Sequence, residues 1–319
     1  MFRLFAIVGL LIMGCFGQTL QAQSIRVSYS GVAGQNLAIW VTYEAGLFKK
    51  YGLNPEMLMI AGGVTNLQAL MAGEIAFVYQ GGASPIQAMA QNADVTILAT
   101  VYGLMPYGII SSKSIHSAGE LKGKRIAVSR IGGIEETAIR FALDKLGVGA
   151  RNVTFVQTGA DPVRIAAVES GAASAAALAP PGLFAATARG LNLITDLGSL
   201  NIRYPTSVIS ARRSALTSER PVAKRFLMAL IEGLQVYHQN KNLAVKALQK
   251  YTGQTNAEIL SKSYDYFVKN TPLVPLSEAA AFENALPVDK PSERKAQSFY
   301  DNSIVEELIQ EGFVKKLAR

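Results

Sequence analysis

The chain repeats its own plan, and that repetition constrains the fold more than any single motif does. The pattern I-x-V-S-x-x-G stands at Ile25, Val27, Ser28 and Gly31, and again at Ile126, Val128, Ser129 and Gly132. In each copy another glycine follows fifteen residues on, at Gly46 and Gly147. Both copies read as an alternating strand, a glycine turn, a helix and a glycine that ends it. A second unit follows each copy. "MLMIAGGVTNLQALMAGEIAFVYQGGASPIQAMAQ" and "VTFVQTGADPVRIAAVESGAASAAALAPPGLFAATARG" share the order strand, turn, helix, strand, turn, helix. Alternating strand and helix predicts right-handed parallel βαβ units with helices covering the sheets. Two similar α/β units therefore stand in tandem near 24–107 and 108–206. After Tyr204-Pro205 the run "TSVISA" predicts one more strand. Helices are then expected over 219–238, 241–251, 255–269, 277–286 and 292–316, punctuated by Gly253, Pro272, Pro275, Pro287 and Pro291. Such a tail forms no third sheet and is expected to pack on one of the two units.

The first residues bear on where the chain works. Arg3 precedes an apolar run from Leu4 to Met13, then small and polar residues up to Gln23. That run is too short to span a membrane and has the flanks of an export signal. Two ways of processing it stand open: cleavage after Ala22, or, because "LIMGC" resembles a lipobox, lipidation of Cys15 and a membrane tether. Cys15 is the single cysteine, so no internal disulfide forms and the fold rests on its core. The formal charge is +8, but the basic residues are scattered among Lys49-Lys50, Lys122–Arg125, Arg212-Arg213 and Lys315-Lys316. Without a basic stripe interleaved with aromatics, nucleic acid is not an expected partner. The field instead suits a small anion.

In parallel α/β sheets ligands bind beyond the carboxyl ends of the strands, where helix N-termini converge. Two facing units offer that edge twice. The turns at Ser30-Gly31, Gly62-Gly63, Gln80-Gly81-Gly82, Arg130-Gly132-Gly133, Gly159 and Pro180-Pro181 are thus expected to line one cleft between them. Glycines there let backbone N–H groups approach a ligand, and helix dipoles favour negative charge. Arg130 is placed to grip a carboxylate or sulfonate, the competing reading being a solvated charge beside Glu135 or Glu136. Gln80 offers an amide donor and acceptor. Trp40, the only tryptophan, is a candidate for stacking on a planar ligand, with helix core packing the favoured reading. Tyr107 and Tyr204 either reach the cleft or pack its hinge. Arg164 is expected to be a surface charge.

"EAGLFKKYGLNPE" (44–56), "ALMAGEIAF" (69–77), "LKGKRIAVSRIGG" (121–133) and "VTFVQTGADPVRIAAVESGAASAAAL" (153–178) resemble, in this order, segments of the solute-binding proteins of ABC importers. The resemblance is to the family shared by nitrate, taurine, aliphatic-sulfonate and thiamine-pyrimidine binding proteins. It implies a two-lobed periplasmic binding protein fold of the type with two crossovers, with 23–107 and 207–319 in one lobe and 108–206 in the other. The crossovers are expected at "YGLMPYGIIS" (102–111) and "NIRYPTSVIS" (201–210). The implied function is capture of a small, anionic organic ligand by an exported monomer that delivers it to an inner-membrane permease. A ligand sensor docking on a membrane receptor, and a thiamine-pyrimidine precursor binder, are the alternatives. One departure from the family pattern is Ala76 where many members carry an acid, which is expected to favour an anionic or neutral ligand. No cofactor is expected.

Catalysis finds no support in the residue pattern. His116 and His238 lie far apart without metal-ligand spacing, no G-x-S-x-G elbow occurs, and Glu135-Glu136 and Glu306-Glu307 are adjacent helix residues that point different ways. Binding, not turnover, is the expected work.

Overall fold

The computed structural model describes residues 22–200, 202–285 and 294–317. The expected export signal, the Cys15 alternative and the junction between the last two expected helices lie outside the described residues. The strands are β1 (Gln23–Tyr29), β2 (Leu53–Met59), β3 (Phe77–Gln80), β4 (Thr96–Leu104), β5 (Gly108–Ser111), β6 (Arg125–Val128), β7 (Thr154–Gln157), β8 (Ala175–Leu178), β9 (Asn192–Asp196) and β10 (Arg203–Ala211). They form two five-stranded sheets, ordered β2-β1-β3-β10-β4 and β7-β6-β8-β5-β9. Strand for strand, β1, β2, β3 and β4 correspond to β6, β7, β8 and β9. This is the duplicated plan in three dimensions.

The remaining strand of each sheet comes from the other half of the chain. β10 runs antiparallel between β3 and β4, and β5 runs antiparallel between β8 and β9. An antiparallel strand starts where its parallel neighbours end. β4 therefore leaves the first sheet at its carboxyl edge, and Met105–Tyr107 carry the chain directly to the carboxyl edge of the second, where Gly108 pairs with Leu178. The return path leaves β9 at Asp196 and enters β10 at Arg203, opposite Leu104. A three-residue connector reaches no more than about 14 Å from Leu104 to Gly108. The two carboxyl edges are thus obliged to face each other.

Helices cover both faces of each sheet. In the first lobe these are α1 (Leu37–Glu44), α2 (Leu47–Lys50), α3 (Gly63–Met71) and α4 (Ala83–Ala90). The second lobe carries α5 (Ile134–Lys145), α6 (Asp161–Glu169) and α7 (Gly182–Ala188). The tail contributes α8 (Arg213–Ser218), α9 (Arg220–Gln239), α10 (Lys241–Thr252), α11 (Ala257–Val268), α12 (Ala279–Glu283), α13 (Ser303–Gln310) and α14 (Phe313–Leu317). Val222, Phe226, Leu230, Leu234 and Tyr237 recur at helical spacing on α9 and are buried on the first lobe. There Phe226 stacks on Phe48 and Phe77, with ring centroids 5.1 and 4.1 Å away. Gly233 lets α9 approach α1 closely: a Cβ there would lie 1.9 Å from Thr42 Oγ1.

Two expectations are corrected. The single helix over 292–316 is broken, because Tyr300 pairs with Ile97 at the edge of the first sheet, Asp301 donates its N–H to the Ile97 carbonyl, and Gly312 adopts a φ of 72° between α13 and α14. Arg164 is no surface charge, being only 2 % exposed. Its guanidinium donates to Glu135 Oε2 at 2.9 Å, to the Gly159 carbonyl at 2.9 Å and to the Asp161 carboxylate. Three segments, the starts of α5 and α6 and the turn before α6, converge on this one cation. Burial pushes the Asp161 carboxyl up to about 6, with Arg164 opposing the rise and the Glu135 charge adding to it.

Arg164→Met leaves two partly buried carboxylates, Asp161 and Glu135, without their shared cation, and is expected to cost about 3 kcal/mol of unfolding free energy in urea titration at pH 7. Asp161 binds its proton more tightly in the folded chain than in the unfolded one. Its contribution to stability is full below its ordinary value of 3.8 and is lost as pH rises through about 6. Asp161→Asn should flatten the stability profile across that window. An unchanged slope would show that other groups take up the proton.

Candidate functional site

Among the described residues the sheet edges meet around Gly34, Gln35, Gly81 and Arg130. Gly34 N–H donates to the Pro180 carbonyl at 3.2 Å, and Gln35 Nε2 donates to the Tyr107 hydroxyl at 3.3 Å. Gly81 packs against Ile134, where a Cβ would lie 3.2 Å from its Cδ1. Arg130 reaches over the gap to Gly62: a Cβ there would stand 1.8 Å from Arg130 Nη1. The turns expected to line one cleft are therefore brought together, apart from Gly159, whose carbonyl serves Arg164.

On the first lobe Ser30 follows β1 and donates its N–H to the Tyr79 carbonyl. Gly31 accepts from Asn36 Nδ2 at 2.8 Å. The turn before α3 is pinned by Asn66, which is fully buried. Asn66 Nδ2 donates to the Ile60 and Gly62 carbonyls at 2.6 and 2.9 Å, and Oδ1 accepts from Ser28 Oγ. Gly62 holds a φ of 91°, open to glycine and rarely to other residues. Gly82 donates to the Pro205 carbonyl at 2.8 Å, fastening the β3 turn to β10. Among the described residues no hydrogen bond takes the amides of Gly63, Ala83 or Ser84, so the starts of α3 and α4 keep free donors.

Between those two helix starts lies Gln80, 1 % exposed. Alternation along β3 puts it on the face of Val78, towards α3 and α4, and its Oε1 lies 3.5 Å from where a Gly63 Cβ would stand. Neither end of its amide has a partner among the described residues. Gln35 Oε1 and Thr206 Oγ1 are buried and unpartnered likewise. Native interiors rarely leave such atoms unpaired. Thr206 lies on β10 near Gln80, which pairs with Val208, while Gln35 packs on the other face of the same sheet edge, its carbonyl accepting from Tyr79 and Ser207.

The second lobe is built differently. The turn at 129–133 was expected to offer its N–H groups to a ligand, and that expectation is corrected. Ser129 N–H goes to Glu135, Ile131 N–H to Gln157, Gly132 N–H to Glu136 and Gly133 N–H to the Arg130 carbonyl. Gly132 and Gly133 shape the turn; they do not present donors. Glu135 and Glu136 are further held by Arg164 and Arg140, so neither neutralises Arg130. The Arg130 guanidinium is exposed and has no ion pair among the described residues.

The aromatic candidates divide. Trp40 is fully buried and stacks on Tyr251 at 4.7 Å inside the first lobe, where no ligand in the gap can touch it. Tyr204 is packed in the core of the second lobe, its hydroxyl pushed up to about 12 by burial. Tyr107 is packed there too, but its hydroxyl meets Gln35 at the interface. Ala76 precedes β3 at the opposite end from Gln80 and donates to the Arg26 carbonyl. An acid at this position would lie a strand's length from the gap, so its replacement carries no information about ligand charge. Gln35, Asn66 and Thr206 were not singled out from the sequence; only their place beside the glycine turns hints at them. Cavities of about 690 Å³ beside Lys124 and Glu169 and about 110 Å³ beside Gly73 and Arg212 lie at the outer edges of the lobes.

A relative from Brucella abortus (strain 2308), designated a candidate binding protein, is 26% identical over 212 residues. The match covers 65% of this chain, and the chain spans 65% of the length of that relative. Among solved structures, a Bordetella bronchiseptica RB50 protein superposes with a TM-score of 0.79 at 18% identity, over 92% of this chain and 98% of that one. The alkanesulfonate-binding protein SsuA from Xanthomonas axonopodis pv. citri, bound to MOPS, gives 0.66 at 20% identity over 82% and 89%. The periplasmic nitrate-binding protein NrtA from Synechocystis PCC 6803 gives 0.70 at 14% over 91% and 89%. These likenesses show the two-lobed periplasmic binding protein fold. The family model described as NMT1/THI5 like matches residues 34–244, most of both lobes and the start of the tail, and the chain belongs to that family.

Proposed function

We propose that this chain is the exported solute-binding component of an ABC importer, closing its lobes on a small organic anion and passing it to a membrane permease. One observation carries the reading: buried polar atoms without partners gather where two sheet edges and two free helix starts converge, with an unpaired arginine reaching over from the opposite lobe. Amides and dipoles at the starts of α3 and α4 favour negative charge, and Arg130 supplies a bidentate fork. The sulfonate- and nitrate-binding proteins of like fold act on anions by their names. Among the described residues no group of three or more His, Cys, Asp or Glu is placed to hold a metal, and no helix is long and apolar enough to cross a membrane. A periplasmic location is part of the proposal.

Calorimetry with a ligand found by thermal-shift screening tests it. Arg130→Ala should weaken binding roughly 10- to 100-fold, the loss of one charged hydrogen-bonding group, with an unchanged urea midpoint. Gly62→Val should act on closure, because its side chain must displace Arg130 and its backbone must hold a φ of 91°. Scattering should then show the wild type contracting with ligand and the valine variant failing to. Equal affinity and equal contraction in both variants would remove the gap between the lobes from the binding site.

A further inference from the structure

The reading above asks only for donors, and Gln80 does not fit a site made of donors. Its side chain is 1 % exposed and both ends of the amide are unpartnered among the described residues. A carboxamide always presents one donor end and one acceptor end, and turning it over exchanges them without changing the count. The free amides of Gly63, Ala83 and Ser84, the Thr206 hydroxyl and Arg130 suit the oxygens of an anion. None of them relieves a buried oxygen that is not already within hydrogen-bonding reach. A nitrate ion or a plain alkanesulfonate brings acceptors alone, so it would seal the Gln80 oxygen in the closed site unsatisfied.

We infer that the ligand is an organic acid that also carries an amide-type edge, an N–H beside a carbonyl oxygen, which pairs with both ends of the Gln80 carboxamide while the acid group lies against the starts of α3 and α4 and Arg130. The inference rests on the proposed binding function and narrows its ligand class. Two antiparallel hydrogen bonds close between the ligand's N–H and carbonyl and the oxygen and NH₂ of Gln80. Thr206 Oγ1, on the strand that pairs with Gln80, is a further unused polar atom, so a second polar group on the same ligand has a partner waiting. Selectivity follows from the oxygen left unpaired when the ligand's N–H is absent.

Matched amide and ester acids test this directly: succinamate against monomethyl succinate, and pyroglutamate, whose ring fixes N–H and carbonyl on one side, against the matching γ-lactone acid, with nitrate and ethanesulfonate as acids that bring acceptors alone. Binding is measured by calorimetry and thermal shift on the wild-type protein and on Gln80→Met. Wild type should prefer each amide over its ester by at least about tenfold, and Gln80→Met should bring that ratio close to one. The wild-type ratios stand as a test even if the variant folds poorly. Esters, nitrate or ethanesulfonate binding as tightly as the amides would overturn the inference and leave the binding function standing. So would a preference that survives in a folded Gln80→Met. No binding of any member of the panel would overturn both.

Discussion

Everything in this molecule depends on how short the first crossover is. β4 ends at one carboxyl edge and β5 begins at the other, with only Met105, Pro106 and Tyr107 between them. Because β5 and β10 run against their parallel neighbours, each can enter its sheet only from the edge where those neighbours stop. The two sets of turns thus confront each other by connectivity, before any side chain is considered. A ligand site at a sheet's carboxyl edge is ordinary for α/β proteins. Here the chain path sets two such edges face to face.

The lobes contribute unlike chemistry to it. In the first, helix starts retain free amides and Asn66 keeps the Gly62 turn in shape from behind. In the second, the corresponding turn turns its amides inward on Glu135, Glu136 and Gln157, and a side chain does the reaching. The buried Arg164, with Asp161 and Glu135 around it, backs that turn as Asn66 backs the other, with charge in place of an amide. A rigid backing is what a site needs if closure is to select among ligands and not merely enclose them.

Glycine spacing in the sequence was enough to foresee two matched α/β units and the position of their turns, because φ values such as those of Gly31, Gly62 and Gly132 are hard for other residues to adopt. Less legible was anything settled by distant partners. Arg164 looks like any helix-surface arginine until the start of α5 is laid beside it. Trp40 is fixed by Tyr251, more than two hundred residues away, and the break after Phe299 is made by a pairing with Ile97. The capping of the 129–133 turn did leave a trace, since acids in the first turn of a helix commonly take backbone amides just before it. Gln80 was visible as a polar residue ending a strand; that both its ends lack partners is a property of the packed lobes alone.

Consecutive residues of α11 look towards different lobes. Phe267 is buried in the core of the first, while Tyr266 sets its ring edge-on to Phe184 and its hydroxyl 2.9 Å from Asp196 Oδ1, at the end of β9. Spreading the lobes at this flank must wet that aromatic pair and hand the carboxylate back to solvent. In the proposed capture of a solute, α11 thereby loads the joint like a spring catch and sets how much of the binding energy is used in shutting it.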